Sequence, residues 1–517
     1  MKKLVSVLCI LLAAMLLIAG CGGGTSSSPS PGNGSAQPSA EAGRTDIVVA
    51  LPGEPPILFG GFSPETPTGM VSRQIFDNLI AYKDDGTYAP QLATAWEFTP
   101  DGKDIIFTLR EGVYFHNGEL MTAEDVVFSY NTIIDSKISD SMTSAMDHME
   151  KIDDTHVKLV FKMVYGPALK PISHFNLPIY SKSAFESDPS GFERNPVGSG
   201  PYKFSEWKSG DSLTLVAHDK YWDGAPAIPT LIFKFFEDDS TASLALQNGE
   251  IDVLTTPPTT DKDRLQSNPN LQFKRTMGVN TYWIHFSFRE DRIFSNEDLR
   301  LAVAYAIDKE AVLLGAMNGE GSIVETIFPT FIENVDLSYK APTNDPEKAK
   351  EHLALAGYPD GIEFTVVTTS RAMRYRPLEI IQGQLAAVGI IMNLEKIEGS
   401  SWWSDIHDGK NFVMNSIDND MFMPDIDDTY SLFRGGQWLN NYDLDDPELN
   451  ELYDLQRYTS DPEVRRQACY DLVRVMGDRA INIPLFEWYN DIVADVNLKG
   501  IEARQMGTAY RVNDWSW

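Results

Sequence analysis

Thr368-Thr369-Ser370-Arg371 closes the alternating apolar run 362–369, and Arg374 follows within one helical turn. Hydroxyls and guanidinium groups at the carboxyl end of such a strand are equipment for holding a ligand, and the planar guanidinium fork suits a carboxylate. Acids crowd the stretch "SIDNDMFMPDIDDTYSLF" (416–433), which favours a ligand bearing an amine. Catalytic signatures are missing. The chain has no G-x-S-x-G, no H-E-x-x-H, no P-loop and no C-x-x-C. Its eight histidines are dispersed from His116 to His407, with none paired at ligand spacing on one helix. Gly198-Ser199-Gly200-Pro201 is too short to cradle a phosphate, and Pro201 lacks the N–H such a loop needs, so it reads as a tight turn into a strand. A paired-carboxylate hydrolase stays open with 74 Asp and Glu residues, although abundance of acids is no evidence of catalysis.

These groups need a scaffold, and 517 residues are too many for one core, so two or three lobes are expected. Hydrophobic content of 43% and ten tryptophans supply ample core material. A formal net charge of −31 excludes nucleic acid as a partner, since phosphate binding needs a concentrated basic surface. It reads instead as a well-solvated acidic exterior.

The N-terminus has its own logic. Met1-Lys2-Lys3 precedes an apolar segment over 4–19, of signal-peptide length and short for a membrane span. Ile18-Ala19-Gly20 leads into Cys21, which resembles the lipobox of bacterial lipoproteins. Residues 1–20 are then a signal peptide, and Cys21 becomes a lipidated N-terminus whose acyl chains anchor by about 0.8 kcal/mol per buried methylene. Residues 21–44, rich in Gly, Ser and Pro, form the anchor and a tether that cannot pack. Cys9 leaves with the signal, so Cys469 has no partner for an internal disulfide and reads as a core residue.

Along the mature chain, Asp46 to Leu51 reads as a strand. Residues 96–115 read as a hairpin turning at Asp101-Gly102, and Thr122 caps a helix with Glu124 and Asp125 in its first turn. "IDDTHVKLVFKM" (152–163) returns to period two, so the section over about 75–190 has little parallel-sheet character. Strands follow at "GPYKFSEW", "DSLTLVAH" and "TLIFKFFED", then a helix capped at Asp239 or Ser240 and stopped at Gly249. Ser295-Asn-Glu-Asp298 opens one helix running to Met317, and Asp345-Pro346 opens another, stopped by Gly357. "GIEFTVVTT", a helix over 375–388 and "IIMNLEKI" make a βαβ unit, predicting a largely parallel sheet in this region. Ser460-Asp461-Pro462 starts a last long helix carrying Cys469.

"APQLATAWEFTPDGKDIIFTLREGVYFHNGELMTAEDVVFSY" (89–130) resembles the signature stretch of family 5 extracellular solute-binding proteins, the dipeptide, oligopeptide and nickel receptors of ABC importers. "NPVGSGPYKFSEWKSGDSLTL", "YWDGAPAI", "ALQNGEIDVL", "LRLAVAYAIDKEAV" and "DPEKAKEHLALAGY" match later family blocks in order. The resemblance implies an α/β fold: a two-lobed periplasmic-binding-protein clamshell of the large family 5 type with an additional α+β subdomain. Lobe I would comprise 45–73, 190–277 and 488–517, the extra subdomain 74–189, and lobe II 278–487, with ligand enclosed by hinge closure. Peptide-binding relatives pair an aspartate with the ligand's ammonium, and the match puts Asp420 near that position, with Asp418 as the alternative at an offset of one or two residues and Asp425 a further candidate in the same stretch. The usual D-P-D pattern is replaced here by Pro424-Asp425-Ile426-Asp427, and 55–65 lacks the usual L-D-P. Trp402-Trp403 matches an aromatic position near the family's pocket and Tyr282-Trp283 stands at the start of lobe II, pairs able to stack on side chains or sugars or to hold a cation. Arg371 and Arg374 would take a peptide carboxylate.

The resulting expectation is a non-enzymatic, extracytoplasmic, lipid-anchored receptor that binds peptides and hands them to an ABC permease with its ATPase. It would be a monomer, with no cofactor, no metal and no nucleic acid. Oligosaccharides and metal chelates remain alternatives on the same fold. An anchored hydrolase, or a signalling or adhesion receptor without a permease, remain outside it.

Overall fold

Two long strands, Leu271–Phe286 and Asn482–Asp495, organise the chain by running antiparallel through most of their length. Their register slips between Met277 and Thr281, a bulge at Gly278 where the strand passes from half-buried surroundings into an unbroken buried run. On one side of the pair, Met414–Asp420 adds to Leu271–Phe286 as the edge strand. On the other, the sheet continues through Val253–Leu254, Asp46–Pro52, Thr230–Phe236 and Ser212–Ala217 to Tyr202–Lys208, with Ser322–Ile323 paired onto Asn482–Asp495. The computed structural model describes residues 44–517 apart from 64, 370, 398–401, 403–413, 421–423, 438–439, 441 and 508, with the backbone alone at 141 and 415–420.

The apolar residues gather into separate cores, and these define the two lobes. One core joins Ile47, Val49 and Leu51 to Phe107, Tyr130, Leu159, Tyr202, Phe233 and Trp515. Two others take their members from residues 279–486. The hairpin-rich section is a four-stranded antiparallel sheet in the order Ala93–Phe98, Ile105–Leu109, His156–Phe161, Met146–Lys151, and it shares the first core. Helix Ala123–Ser136 packs on it, started by a capping box in which Asp125 N donates to Thr122 Oγ1 and Thr122 N donates back to Asp125.

Three local expectations need correction. The segment from Ser295 to Met317 is two helices, Glu297–Ala306 and Lys309–Met317, because Asp308 accepts from Ala311 N at 3.0 Å and caps a second start. The cap of helix Asp239–Gln247 is Asp238, whose carboxylate accepts from Thr241 N at 2.8 Å. Parallel pairing in the second lobe is confined, among the described residues, to Ile362–Thr369 against Ile390–Ile397, joined by helix Ala372–Ala386. A crossover fixes the direction of the two strands that it joins and of no others. That pair is a sheet of its own, and in the large sheet Met414–Asp420, Leu271–Phe286 and Asn482–Asp495 run antiparallel to one another in turn.

Candidate functional site

A cavity of about 100 Å³ opens where the first lobe, the hairpin-rich section and the second lobe meet. Helix Thr66–Ile75 brings Arg73, the short helix Leu169–Ile172 brings Lys170, the C-terminal segment brings Arg511, and the second lobe contributes Pro424. Three side chains lock these pieces in place. Gln74 ties the helix to the C-terminal segment, donating to Tyr510 O at 3.0 Å and accepting from Val512 N at 3.0 Å. Asn78 donates to His174 O at 2.6 Å and Leu177 O at 2.9 Å, which fixes the segment after Lys170. Asp77, fully buried, accepts from Arg511 at 2.7 Å, from Ser199 and Trp222 at 3.0 Å each, and from Tyr221 at 3.1 Å.

The charges around this cavity do not balance. Arg511 is neutralised by Asp77, and Asp84 on the rim faces Arg504 at 3.6 Å. Lys170, only 5% exposed, has no hydrogen-bond partner for its Nζ, which sits 4.2 Å from the ring centre of Tyr82 and 5.7 Å from that of Tyr88. Arg73 leaves its Nε unpartnered and lies 5.2 Å from the ring of Phe175. Neither has a carboxylate at salt-bridge distance among the described residues. Burial pushes the Arg73 guanidinium down to about 10, with Arg511 adding to the effect, and it lowers the Lys170 ammonium as well. An unpaired buried cation is expensive unless something supplies the counter-charge. Aromatic faces offset part of that cost, on the order of 1–2 kcal/mol per contact.

Beside the cavity, Pro424 leads into a buried ion-pair belt. Arg465 holds Asp425 at 2.5 Å, and Asp427 N donates to the same carboxylate at 2.9 Å. Asp427 is held by Arg457 at 2.5 Å, by Gln456 at 2.8 Å and by Tyr165 of the hairpin-rich section at 2.9 Å. Burial raises the Asp425 carboxyl, but the Arg465 charge and then Lys170 outweigh it and hold the group below the usual carboxylate range.

The residues singled out from sequence are distributed differently. Asp425 has its carboxylate committed to Arg465, which gives it a framework position. Tyr282 and Trp283 are fully buried in the second lobe's cores, Tyr282 stacked on Phe486 at 5.1 Å and Trp283 against Phe433 at 5.6 Å. Tyr282, Arg374 and Trp402 do converge: the Tyr282 hydroxyl donates to Arg374 O at 2.9 Å, and the Arg374 guanidinium lies 3.9 Å from the centre of the buried Trp402 ring. Arg371 precedes helix Ala372–Ala386, exposed, and its charge acts on Asp239 of the first lobe. Asp418 and Asp420 lie on the edge strand, their backbone opposite Tyr282 and Asn280. Trp403 lies outside the described residues. Of the described side chains in this group none lines the cavity. Arg73, Lys170 and Arg511 escaped notice because each is an isolated cation with no local pattern, on segments as far apart as 66–75 and 509–511.

A receptor with two lobes, a shared pair of connecting strands and a polar cavity where the lobes meet has the build of a solute-binding protein. The model of the bacterial extracellular solute-binding proteins, family 5, matches residues 87–441, and the chain belongs to that family. It is therefore an extracytoplasmic transport receptor of the ABC-importer class and not an enzyme. Among curated relatives, heme-binding protein A of Haemophilus influenzae is 30% identical, over 76% of this chain and 77% of its own. The oligopeptide-binding protein AppA of Bacillus subtilis is 23% identical, over 99% of this chain and 98% of its own. The crystal structure of the ABC transporter substrate-binding protein CtaP from Listeria monocytogenes superposes with a TM-score of 0.84 at 21% identity, covering 91% of this chain and 98% of that one. It has the same fold.

Proposed function

We propose that this receptor captures di- or oligopeptides between its lobes and delivers them to a membrane permease. The observation that carries the reading is the cavity at the meeting of the lobes, with unpaired cations placed to receive the carboxylate that every free peptide presents. The kinship with an oligopeptide receptor along nearly the whole chain supports it. Asp420 or Asp418, on the strand that edges the second lobe, is the acid we assign to the peptide ammonium. Arg374 and Trp402 line the second lobe's approach in this reading, and lobes bounded at about 277/278 and 487/488 close over the ligand. Cys21 carries the lipid that keeps the receptor at the membrane.

A thermal-shift screen of the purified protein against peptides, cello-oligosaccharides, nickel chelates and heme tests the assignment. Ligand at a hundred times its dissociation constant stabilises by about 2.7 kcal/mol, a readily visible shift. Peptide should produce that shift and be recovered uncleaved. A shift with sugars, chelate or heme and none with peptides refutes the peptide reading.

A further inference from the structure

Two cations without a salt-bridge partner in one small cavity, inside a protein whose 43 basic residues are far outnumbered by 74 acidic ones, ask for an explanation. Elsewhere the chain pairs its buried charges carefully: Arg457 with Asp427, Arg465 with Asp425, Arg511 with Asp77 and Lys309 with Glu325. Arg300, buried 3.7 Å from Glu297, is further satisfied by the backbone carbonyls of Phe294, Ala480 and Arg479. Lys170, buried, and Arg73, half-buried with a buried Nε, receive neither kind of partner. Of the acids near this cavity, Asp425 is committed to Arg465 and Asp84 to Arg504, while Glu333, whose charge also acts on Lys170, is exposed and outside salt-bridge distance. The cavity is also too small for a whole peptide. At about 100 Å³ it holds a few water molecules or one compact charged group.

We infer that Arg73 and Lys170 form a dedicated oxyanion subsite, which takes the carboxylate or phosphate group of the transported solute and makes the receptor selective for acidic ligands. This deepens the proposed function and rests on the cavity being part of the ligand site. The binding group contributes two formal half-charges on paired oxygens, or a phosphate's three oxygens, to a guanidinium fork and an ammonium that are otherwise unsatisfied. Tyr82 and Tyr88 hold the ammonium in place by its cation–π contacts while the site is empty. Stability is thereby sacrificed for recognition, so removing either charge should make the empty receptor more stable and its anion response weaker.

The test uses Arg73→Met and Lys170→Met, which keep the apolar stems, in melting experiments at constant ionic strength set with sodium chloride. The probes are inorganic phosphate, trialanine and trialanine amide, the last lacking the carboxylate. In the unaltered protein, phosphate or trialanine at a hundred times its dissociation constant should raise the melting temperature by about 2–3 °C, and the amide should give a clearly smaller rise. Each variant should melt at least about 1 °C higher than the unaltered protein when empty, and lose the phosphate response and the preference for trialanine over its amide. A response to phosphate alone assigns the site to phosphorylated solutes, and a response to trialanine alone assigns it to carboxylates; both uphold the subsite. Equal shifts with trialanine and its amide, retained in both variants, overturn it while leaving the peptide receptor standing. Variants that melt lower than the unaltered protein or fail to fold overturn it too, since they show that the cations serve the fold. A phosphate response without any peptide response upholds the subsite and refutes the peptide assignment.

Discussion

Replacing Asp427 by alanine strikes the point where the hairpin-rich section is pinned to the second lobe. Its carboxylate, with 1% of the side chain exposed, receives Arg457, Gln456 and the hydroxyl of Tyr165. Arg457 also reaches Ser144 at 3.1 Å, and its carbonyl accepts from Gly166 N at 2.7 Å, so one residue bridges two parts of the molecule. Alanine leaves the Arg457 guanidinium buried without its counter-charge, which costs about 3–5 kcal/mol. The loosened Gln456 and Tyr165 groups fall within that range, because one unit of three donors is being broken. Unfolding entropy of about 2.1 cal/mol/K per residue, over the roughly 470 residues of the folded unit, comes to about 1 kcal/mol/K. The melting temperature should therefore fall by about 3–5 °C. Urea denaturation followed by tryptophan fluorescence measures the free energy directly, and Arg457→Met in the Asp427→Ala background completes a cycle. The double variant should recover at least about 2 kcal/mol relative to the sum of the single losses. A single loss under about 1 kcal/mol, or strict additivity in the cycle, refutes the claim that this pair is a buried, mutually dependent unit.

Other consequences are simpler. Arg465→Met removes the charge that holds the Asp425 carboxyl low; because the unfolded chain takes up that proton first, the pair's stabilisation is present above the ordinary carboxylate range and lost as pH falls through the lowered value. Acid unfolding of the variant, read by circular dichroism, should have its midpoint at higher pH, and an unchanged midpoint rejects the argument. Cys469 is fully buried, and burial pushes its thiol up to about 12, so in a Cys21→Ala background a thiol-reactive dye should label it only after denaturation. Rapid labelling of the native protein contradicts its core position. Gly200→Ala would set a methyl 2.5 Å from the Ile75 carbonyl carbon while Gly200 N donates to Ile75 O, a clash that should cost about 1–3 kcal/mol by urea denaturation. A neutral result means that the turn can relax.

Local structure was largely legible from the sequence because it rests on short-range physics. Thr122 with Asp125, and Asp345 with Pro346, announce helix starts through backbone donors within one turn. The alternation in 156–161 and 362–369 follows from the two-residue period of a strand, and Gly357 and Gly389 stand where the chain needs positive φ. The same reach explains the misses. Nothing in the run from Ser295 to Met317 shows that Asp308 will turn from helix interior to cap until the surrounding packing bends the chain there. Sheet direction beyond the βαβ pair depended on strands more than a hundred residues apart.

What the sequence determined by itself was the kind of protein: a succession of blocks that make a family 5 receptor. What only the tertiary structure decided was which polar groups face one another. Whether an acid is a ligand contact or part of a buried pair depends on its partner, as Arg465 decides for Asp425 across forty residues of chain. Arg73 and Lys170 carry no signature in sequence, since an unpaired cation is defined by what is missing around it in space. Electrostatic energy depends on distance and solvent access, and folding sets both.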